Sequence, residues 1–103
     1  MNLQLNGLVA VVTGGSRGIG LAICKALAAE GADVAVLYAS NAGKAEEASA
    51  ACTACGVRAK AYPCRVENST EAAQTVRDIL ANFGRIDILV NNAGITRDRK
   101  SVV

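Results

Sequence analysis

At 103 residues, with 51% hydrophobic side chains, the chain holds one domain at most and enough apolar material for a core, which excludes intrinsic disorder. The net charge is +2 without a long basic run, giving no reason to expect nucleic acid or a membrane as partner; no apolar segment reaches the ~18–20 residues of a membrane span. Histidine is absent, so no Ser-His-Asp or Cys-His arrangement can be built within this chain.

The first residues, MNLQLNG, lack the basic region and long apolar stretch of a signal peptide, and a cytoplasmic location is expected. LVAVV (8–12) is a continuous apolar run, the mark of a strand covered on both faces. From Ile19 to Glu30 the spacing turns helical, with Ile19, Ala22, Ile23, Ala26 and Leu27 predicted on one face and Gly31 ending the helix. DVAVLY (33–38) is a second buried strand. Ser40 or Asn41 caps a helix running to about Cys55, closed by Gly56. In VRAKAY (57–62), Val57, Ala59 and Ala61 alternate with Arg58, Lys60 and Tyr62, which predicts an edge strand with one wet face; Pro63 suits a strand end. Asn68 or Ser69 starts a third helix with Val76, Ile79, Leu80 and Phe83 inward and Gly84 closing it. IDILV (86–90) is the fourth strand. This β-α-β-α-β-α-β order, with short loops and right-handed crossovers, predicts an α/β fold: a parallel sheet with helices on both faces.

Cys52 and Cys55 form a C-x-x-C at the end of a helical stretch. A redox pair belongs at a helix N-terminus, where the dipole lowers the thiol pKa. A metal site wants a second ligand pair, and Cys24 and Cys64 stand alone. The four cysteines are expected to be small, mostly buried, reduced thiols.

TGGSRGIG (13–20) follows a buried strand and opens a helix, the context of a phosphate-holding loop. There the unpaired N–H groups and positive end of the helix suit an anion. A P-loop needs lysine and a hydroxyl after Gly20, but Leu21 and Ala22 stand there; the standard G-x-G-x-x-G is absent too. The pattern is T-G-x-x-x-G-x-G, carried by Thr13, Gly14, Gly18 and Gly20. Alone, it also fits a flexible turn without a ligand. NNAG (91–94) follows the fourth strand, which lies beside the first in an open parallel sheet. Both segments therefore meet at the carboxyl ends of strands, where such sheets bind ligands.

TGGSRGIG and NNAG at this separation resemble the short-chain dehydrogenase/reductase family. IDILVNNAGITRD (86–98) is similar in particular to the branch that reduces 3-oxoacyl thioesters of acyl-carrier protein. The resemblance runs from about residue 5 to 97 or 98. It implies that residues 1–97 are the N-terminal part of a Rossmann-type, doubly wound NAD(P)(H)-binding domain with sheet order 3-2-1-4. It places the pyrophosphate against Gly14, Gly15, Ser16, Arg17, Gly18, Ile19 and Gly20. Asn92, Ala93 and Gly94 would lie beside the adenosine ribose and the start of the nicotinamide half, with Thr13 and Asn91 joining the fourth strand to the loop. NAD enzymes usually carry a carboxylate at the end of the second strand for the 2′-hydroxyl. Here Leu37, Tyr38, Ala39 and Ser40 include no acid, and Arg17 can pair with a 2′-phosphate, so NADP(H) is the expected cofactor. After the third strand the family usually has Asp-Val or Asn-Val, whose polar group meets the adenine amino group. Arg65-Val66 replaces it; arginine has no acceptor, though it can stack on the ring.

The family's chemistry uses a tyrosine, a lysine, a serine and an asparagine that follow NNAG. Tyr38, Tyr62, Lys100 and Ser101 do not stand in those motifs. No catalytic residue and no metal ligand is therefore assigned. In a full-length parent the resemblance implies an acyl-carrier-protein thioester as substrate and a homotetramer. The alternatives are a family member acting on another carbonyl or alcohol, and a non-catalytic nucleotide-binding module. The last residues, DRKSVV (98–103), are the translation of a common sequencing adapter, and are expected to be a non-native tail rather than part of the fold.

Overall fold

The computed structural model describes residues 4–15 and 18–92. The expected order is present: β1 (Val9–Thr13), α1 (Gly18–Ala29), β2 (Asp33–Tyr38), α2 (Ala42–Thr53), β3 (Ala59–Pro63), α3 (Ser69–Phe83) and β4 (Ile88–Asn91). The four strands form one parallel sheet in the order β3-β2-β1-β4. Side chains alternate between the two faces of each strand, and helices cover both. On one face Val9, Val11, Ala35, Leu37, Tyr62 and Cys64 pack with Ile79 and Phe83 of α3. On the other, Val12, Val34 and Val36 pack with Cys24 and Ala28 of α1 and Ala48 and Cys52 of α2. This two-sided cover is why β1 and β2 read as unbroken apolar runs.

The caps resolve two open choices. Asn41 Oδ1 accepts from the Lys44 amide at 3.0 Å, and Asn68 Oδ1 accepts from the Glu71 amide at 3.0 Å, so Asn41 and Asn68 start α2 and α3. Gly84 ends α3 with φ 88°, a left-handed cap that its lack of a side chain permits. The fourth strand begins two residues later than expected. Asp87 is engaged at the other end of β1 instead: its amide donates to Val9 O at 2.8 Å, and its carboxylate accepts from the Val9 amide at 2.9 Å.

Two helix faces differ from the sequence reading. In α1 the fully buried positions are Gly20, Cys24 and Ala28; Ile23 and Leu27 are half-buried, whereas Ile19 is 70% exposed and Ala22 and Ala26 are exposed. The seam follows small residues four apart, because α1 comes down tightly on the end of β1 at Gly20. In α3 Thr75, Ile79 and Phe83 are buried, while Val76 and Leu80 are 44% and 43% exposed. The third strand is also less wet than its alternation suggested. Tyr62 is buried beneath α3, and its hydroxyl accepts from Asn82 Nδ2 at 2.8 Å. β3 does lie at a sheet edge. Cys24, Cys52 and Cys64 are buried free thiols, and Cys55 is exposed.

Candidate functional site

β1 and β4 are parallel neighbours, with Thr13 beside Asn91. Their carboxyl ends therefore open at the same edge of the sheet. From there β1 leads through α1 to β2 on one side, while β4 stands on the other. The crevice between the two departures is the switch point of a doubly wound sheet.

Three polar ties hold it. The Thr13 hydroxyl donates toward Asn91 Oδ1 at 3.2 Å and Val90 O at 3.4 Å, the expected joint between the fourth strand and the loop. Asn92 Nδ2 donates to Gly14 O at 3.2 Å, a second joint that the sequence reading missed. The Gly14 and Gly15 amides donate to Leu37 O at 3.0 and 3.4 Å. These two amides are committed to β2. Among the described residues, the donors left for an anion are those of the first turn of α1, which starts at Gly18 and has no acidic residue in that turn.

Close packing explains the glycines. A Cβ on Gly20 would overlap Gly14 O and lie 2.8 Å from Asn92 Nδ2. A Cβ on Gly15 would lie 2.8 Å from Cys24 Sγ and 3.2 Å from Val36 Cγ1. Bare backbone at both positions lets loop, helix and β4 converge.

Ala39 and Ser40 are exposed in the bend after β2, beside the loop. Arg65 does not project freely. Its amide donates to Glu71 Oε1 at 2.8 Å, and its Nη2 and Nε donate to Glu71 Oε2 at 2.7 and 3.2 Å. The clamp holds the Glu71 carboxyl below the usual carboxylate range. The two side chains border an open cavity of about 470 Å³ that also touches Ala39, Tyr62 and Asp78. Val66 is exposed next to Arg65. Asn68 and Glu71 have the spacing of a capping box, the one signal that could have flagged Glu71; here its carboxylate reaches back to Arg65. Ser16, Arg17, Ala93 and Gly94, and the tail 98–103, lie outside the described residues. Gly14, Gly20 and Asn92 meet at the crevice; Gly15 packs on Cys24 and Val36, and Gly18 and Ile19 open α1 with Ile19 turned outward. Among the described residues no helix is long and apolar enough to cross a membrane, and no group of three or more His, Cys, Asp or Glu could hold a metal.

The sheet order and this crevice define a Rossmann-type, doubly wound α/β protein. The chain belongs to the short-chain dehydrogenase/reductase family: the family described as short chain dehydrogenase matches residues 8–102. It is 49% identical over 94 residues to 3-oxoacyl-[acyl-carrier-protein] reductase of Synechocystis, covering 91% of this chain and 38% of that protein. A short-chain dehydrogenase of Burkholderia cenocepacia, solved in complex with NADP, superposes with a TM-score of 0.86 at 48% identity, over 91% of this chain and 38% of its own. An NAD⁺-bound xylitol dehydrogenase superposes with a TM-score of 0.79 at 38% identity, over 84% of this chain and 33% of its own. The chain thus spans little more than a third of the length of the relatives it matches.

Proposed function

We propose that the chain supplies the NADP(H)-binding part of a reductase that converts a 3-oxoacyl-acyl-carrier-protein thioester to the 3-hydroxyacyl thioester. The observation that carries the cofactor reading is the crevice itself. Gly20 is kept bare against Gly14 O and Asn92, and the first turn of α1 opens there without an acid. A dinucleotide's diphosphate suits that surface, because the bare Gly20 lets the helix end close on the loop and on Asn92, and the helix end favours negative charge. In this reading Gly18, Ile19 and Gly20 offer amides to the diphosphate, together with Ser16 and Arg17. Gly14 and Gly15 shape the turn while bonded to Leu37. Asn92, Ala93 and Gly94 form the opposite wall, and Ala39, Ser40, Arg65 and Val66 border the adenosine half.

Bound there, the cofactor supplies a hydride. The residues of this chain bind and orient it; proton transfer belongs to the Tyr, Lys, Ser and Asn that the family carries after NNAG. The preference for NADP(H) rests on Leu37 to Ser40, a strand end free of carboxylates, where an acid would repel a 2′-phosphate. The NADP complex of the Burkholderia relative supports it. The similarity to the Synechocystis reductase supports the acyl thioester as substrate. The solved xylitol dehydrogenase keeps a second reading alive, a family member acting on a polyol or another carbonyl. A cytoplasmic homotetramer is the assembly we propose for the full-length parent.

Titration of this chain with NADPH and NADH, followed by fluorescence, tests the cofactor reading. Arg17→Ala is expected to weaken NADPH by about ten- to a hundredfold, the worth of a charge-assisted contact, and NADH far less. Equal losses overturn the NADP(H) preference, and absence of binding by either nucleotide overturns the reading as a whole. A full-length parent that reduces 3-oxoacyl thioesters supports the substrate, and one that reduces only sugars or polyols overturns it.

A further inference from the structure

The side of α3 that borders the β3 edge carries a polar stripe. Glu71, Gln74, Thr75 and Asp78 stand at i, i+3, i+4 and i+7 of the helix, the spacing at which an amphipathic helix sets apolar residues against its sheet. All four line the open cavity of about 470 Å³ between α3 and the end of β3, with Tyr62 and Cys64 lining it from the strand. Thr75 is only 6% exposed, yet its hydroxyl has no hydrogen-bond partner among the described residues. Helical threonines commonly turn the hydroxyl back to the carbonyl one turn earlier; this one does not. Asp78 is oriented by its neighbours: Gln74 Nε2 donates to Asp78 Oδ1 at 3.0 Å, and Arg77 Nη2 donates to Gln74 Oε1 at 3.2 Å. Asp78 Oδ2 is left to accept. At the other end of the stripe Arg65 commits Nε and Nη2 to Glu71 and keeps the donors of Nη1. The cavity therefore has a donor pole at Arg65, an acceptor pole at Asp78 and an unpaired hydroxyl between them.

We propose that this cavity binds a small zwitterion, an ω-amino acid whose carboxylate accepts from Arg65 Nη1 and whose ammonium donates to Asp78 Oδ2 and Thr75 Oγ1. Its methylene stem lies against Ala39, Tyr62 and Pro63, the apolar part of the lining. A cavity of this size with an apolar wall and a few convergent polar groups is the usual form of a small-molecule site. A stripe that served only to face water would account for Gln74 and Asp78, which are exposed. It would not account for Thr75, because a buried hydroxyl left unpaired lowers stability and is rare without a use.

Spacing and charge select the ligand. Glu71, which carries the Arg65 clamp, and Asp78 lie two turns apart, about 10 Å along the helix axis. A hydrogen bond of about 3 Å at each end leaves about 4–5 Å between the ligand's charged groups. A four-carbon ω-amino acid spans that distance, and an α-amino acid does not. Around the cavity Arg65 and Lys60, whose Nζ stands 5.7 Å from the centre of the Tyr62 ring, balance Glu71 and Asp78. A molecule with balanced charges therefore enters at less electrostatic cost than a lone anion or a dication. The site shares Ala39 and Arg65 with the surface assigned above to the adenosine half, but it does not rest on the dinucleotide reading.

The 103-residue chain, isotope-labelled, is titrated with γ-aminobutyrate while its amide resonances are followed by NMR. Saturable shifts at Arg65, Glu71, Thr75 and Asp78 are expected. Butylamine and butyrate, which each satisfy one pole, and glycine, whose charges stand too close together, are expected to bind at least about tenfold more weakly. Asp78→Asn keeps an acceptor for Gln74 and removes the charge; it is expected to weaken γ-aminobutyrate at least about tenfold. Thr75→Val keeps the shape and removes the hydroxyl. It is expected to weaken γ-aminobutyrate about fivefold while leaving the urea midpoint unchanged or raised, since no bond within the fold is lost. A merely structural threonine would lower that midpoint. No saturable shift at these residues, equal affinity for all four probes, unchanged affinity in Asp78→Asn, or a lower midpoint in Thr75→Val overturns the proposal. In a last arm NADPH is added to the complex, and simultaneous binding is expected. Displacement of γ-aminobutyrate by NADPH gives the cavity to the nucleotide and overturns the separate site. If the chain binds no NADPH, the dinucleotide reading fails, and the titrations still decide the cavity.

Discussion

Gly20 shows how little space separates the three partners of the crevice. Any side chain there strikes Gly14 O and Asn92, so Gly20→Ala must push α1 away from the loop or break the Asn92–Gly14 bond. Urea unfolding is expected to show a loss of about 1–3 kcal/mol, the usual cost of forcing a methyl into packed space; an unchanged midpoint would show that α1 does not rest against Gly14. Charge acts at the same scale. Arg85 beside Asp87, helped by the Val9 amide, holds that carboxyl below its usual range, and Arg65 does the same for Glu71. A carboxyl whose folded-state pKa lies below its unfolded value stabilises the fold above the unfolded value. That contribution disappears as pH falls through the folded one. The urea midpoint is therefore expected to drop between neutral and acid pH, and Asp87→Asn to flatten part of that slope. A slope identical in the variant would mean that the Asp87 pair does not differ between folded and unfolded chains.

The rotated faces of α1 and α3 belong to the scale of whole elements. Ile79→Ala is expected to cost about 2–5 kcal/mol, as a fully buried truncation does, whereas Leu80→Ala, one residue on, stays within about 0.5 kcal/mol. Equal losses would restore the face that the spacing suggested. Arg58 links three elements: it pairs with Asp33 of β2 at 2.8 Å, reaches Asn82 O and Phe83 O at the end of α3, and lies 5.0 Å from the centre of the Phe83 ring. Because it is more than half exposed, Arg58→Ala is expected to cost only about 1 kcal/mol, read from the same urea curves. The strands and helix starts were legible because two-sided burial writes itself as apolar runs, and Asn41 and Asn68 stand where a cap must; the order of the strands across the sheet came from the family resemblance. The faces were not. Val76 with Leu80, and Thr75 with Ile79, are both spaced four apart on adjoining stripes of one helix, and only the packed sheet chooses between them. Nor could the Asn92–Gly14 and Arg65–Glu71 bonds be read, since a motif gives residue types at a strand end without saying which groups spend their donors on one another.

The whole molecule has two unlike sheet margins. β3 presents exposed Lys60 and Pro63, which discourage further pairing. β4 carries Leu89, 67% exposed, on a margin with no partner strand among the described residues. This chain alone is expected to self-associate as its concentration rises, and Leu89→Lys to suppress it. Sedimentation velocity checks both, and a monomer at every concentration would argue against an adhesive margin. The pairing of β1 with β4 carries one more consequence. The bond that joins Asn92 to Gly14 spans residues 78 apart in the chain, so the two walls of the crevice meet only after β4 has been made. Closing so long a span makes this a slow, late event in folding. Until Asn92 has docked the crevice lacks one wall, and on the dinucleotide reading proposed above a nucleotide can reward only those molecules that have closed it.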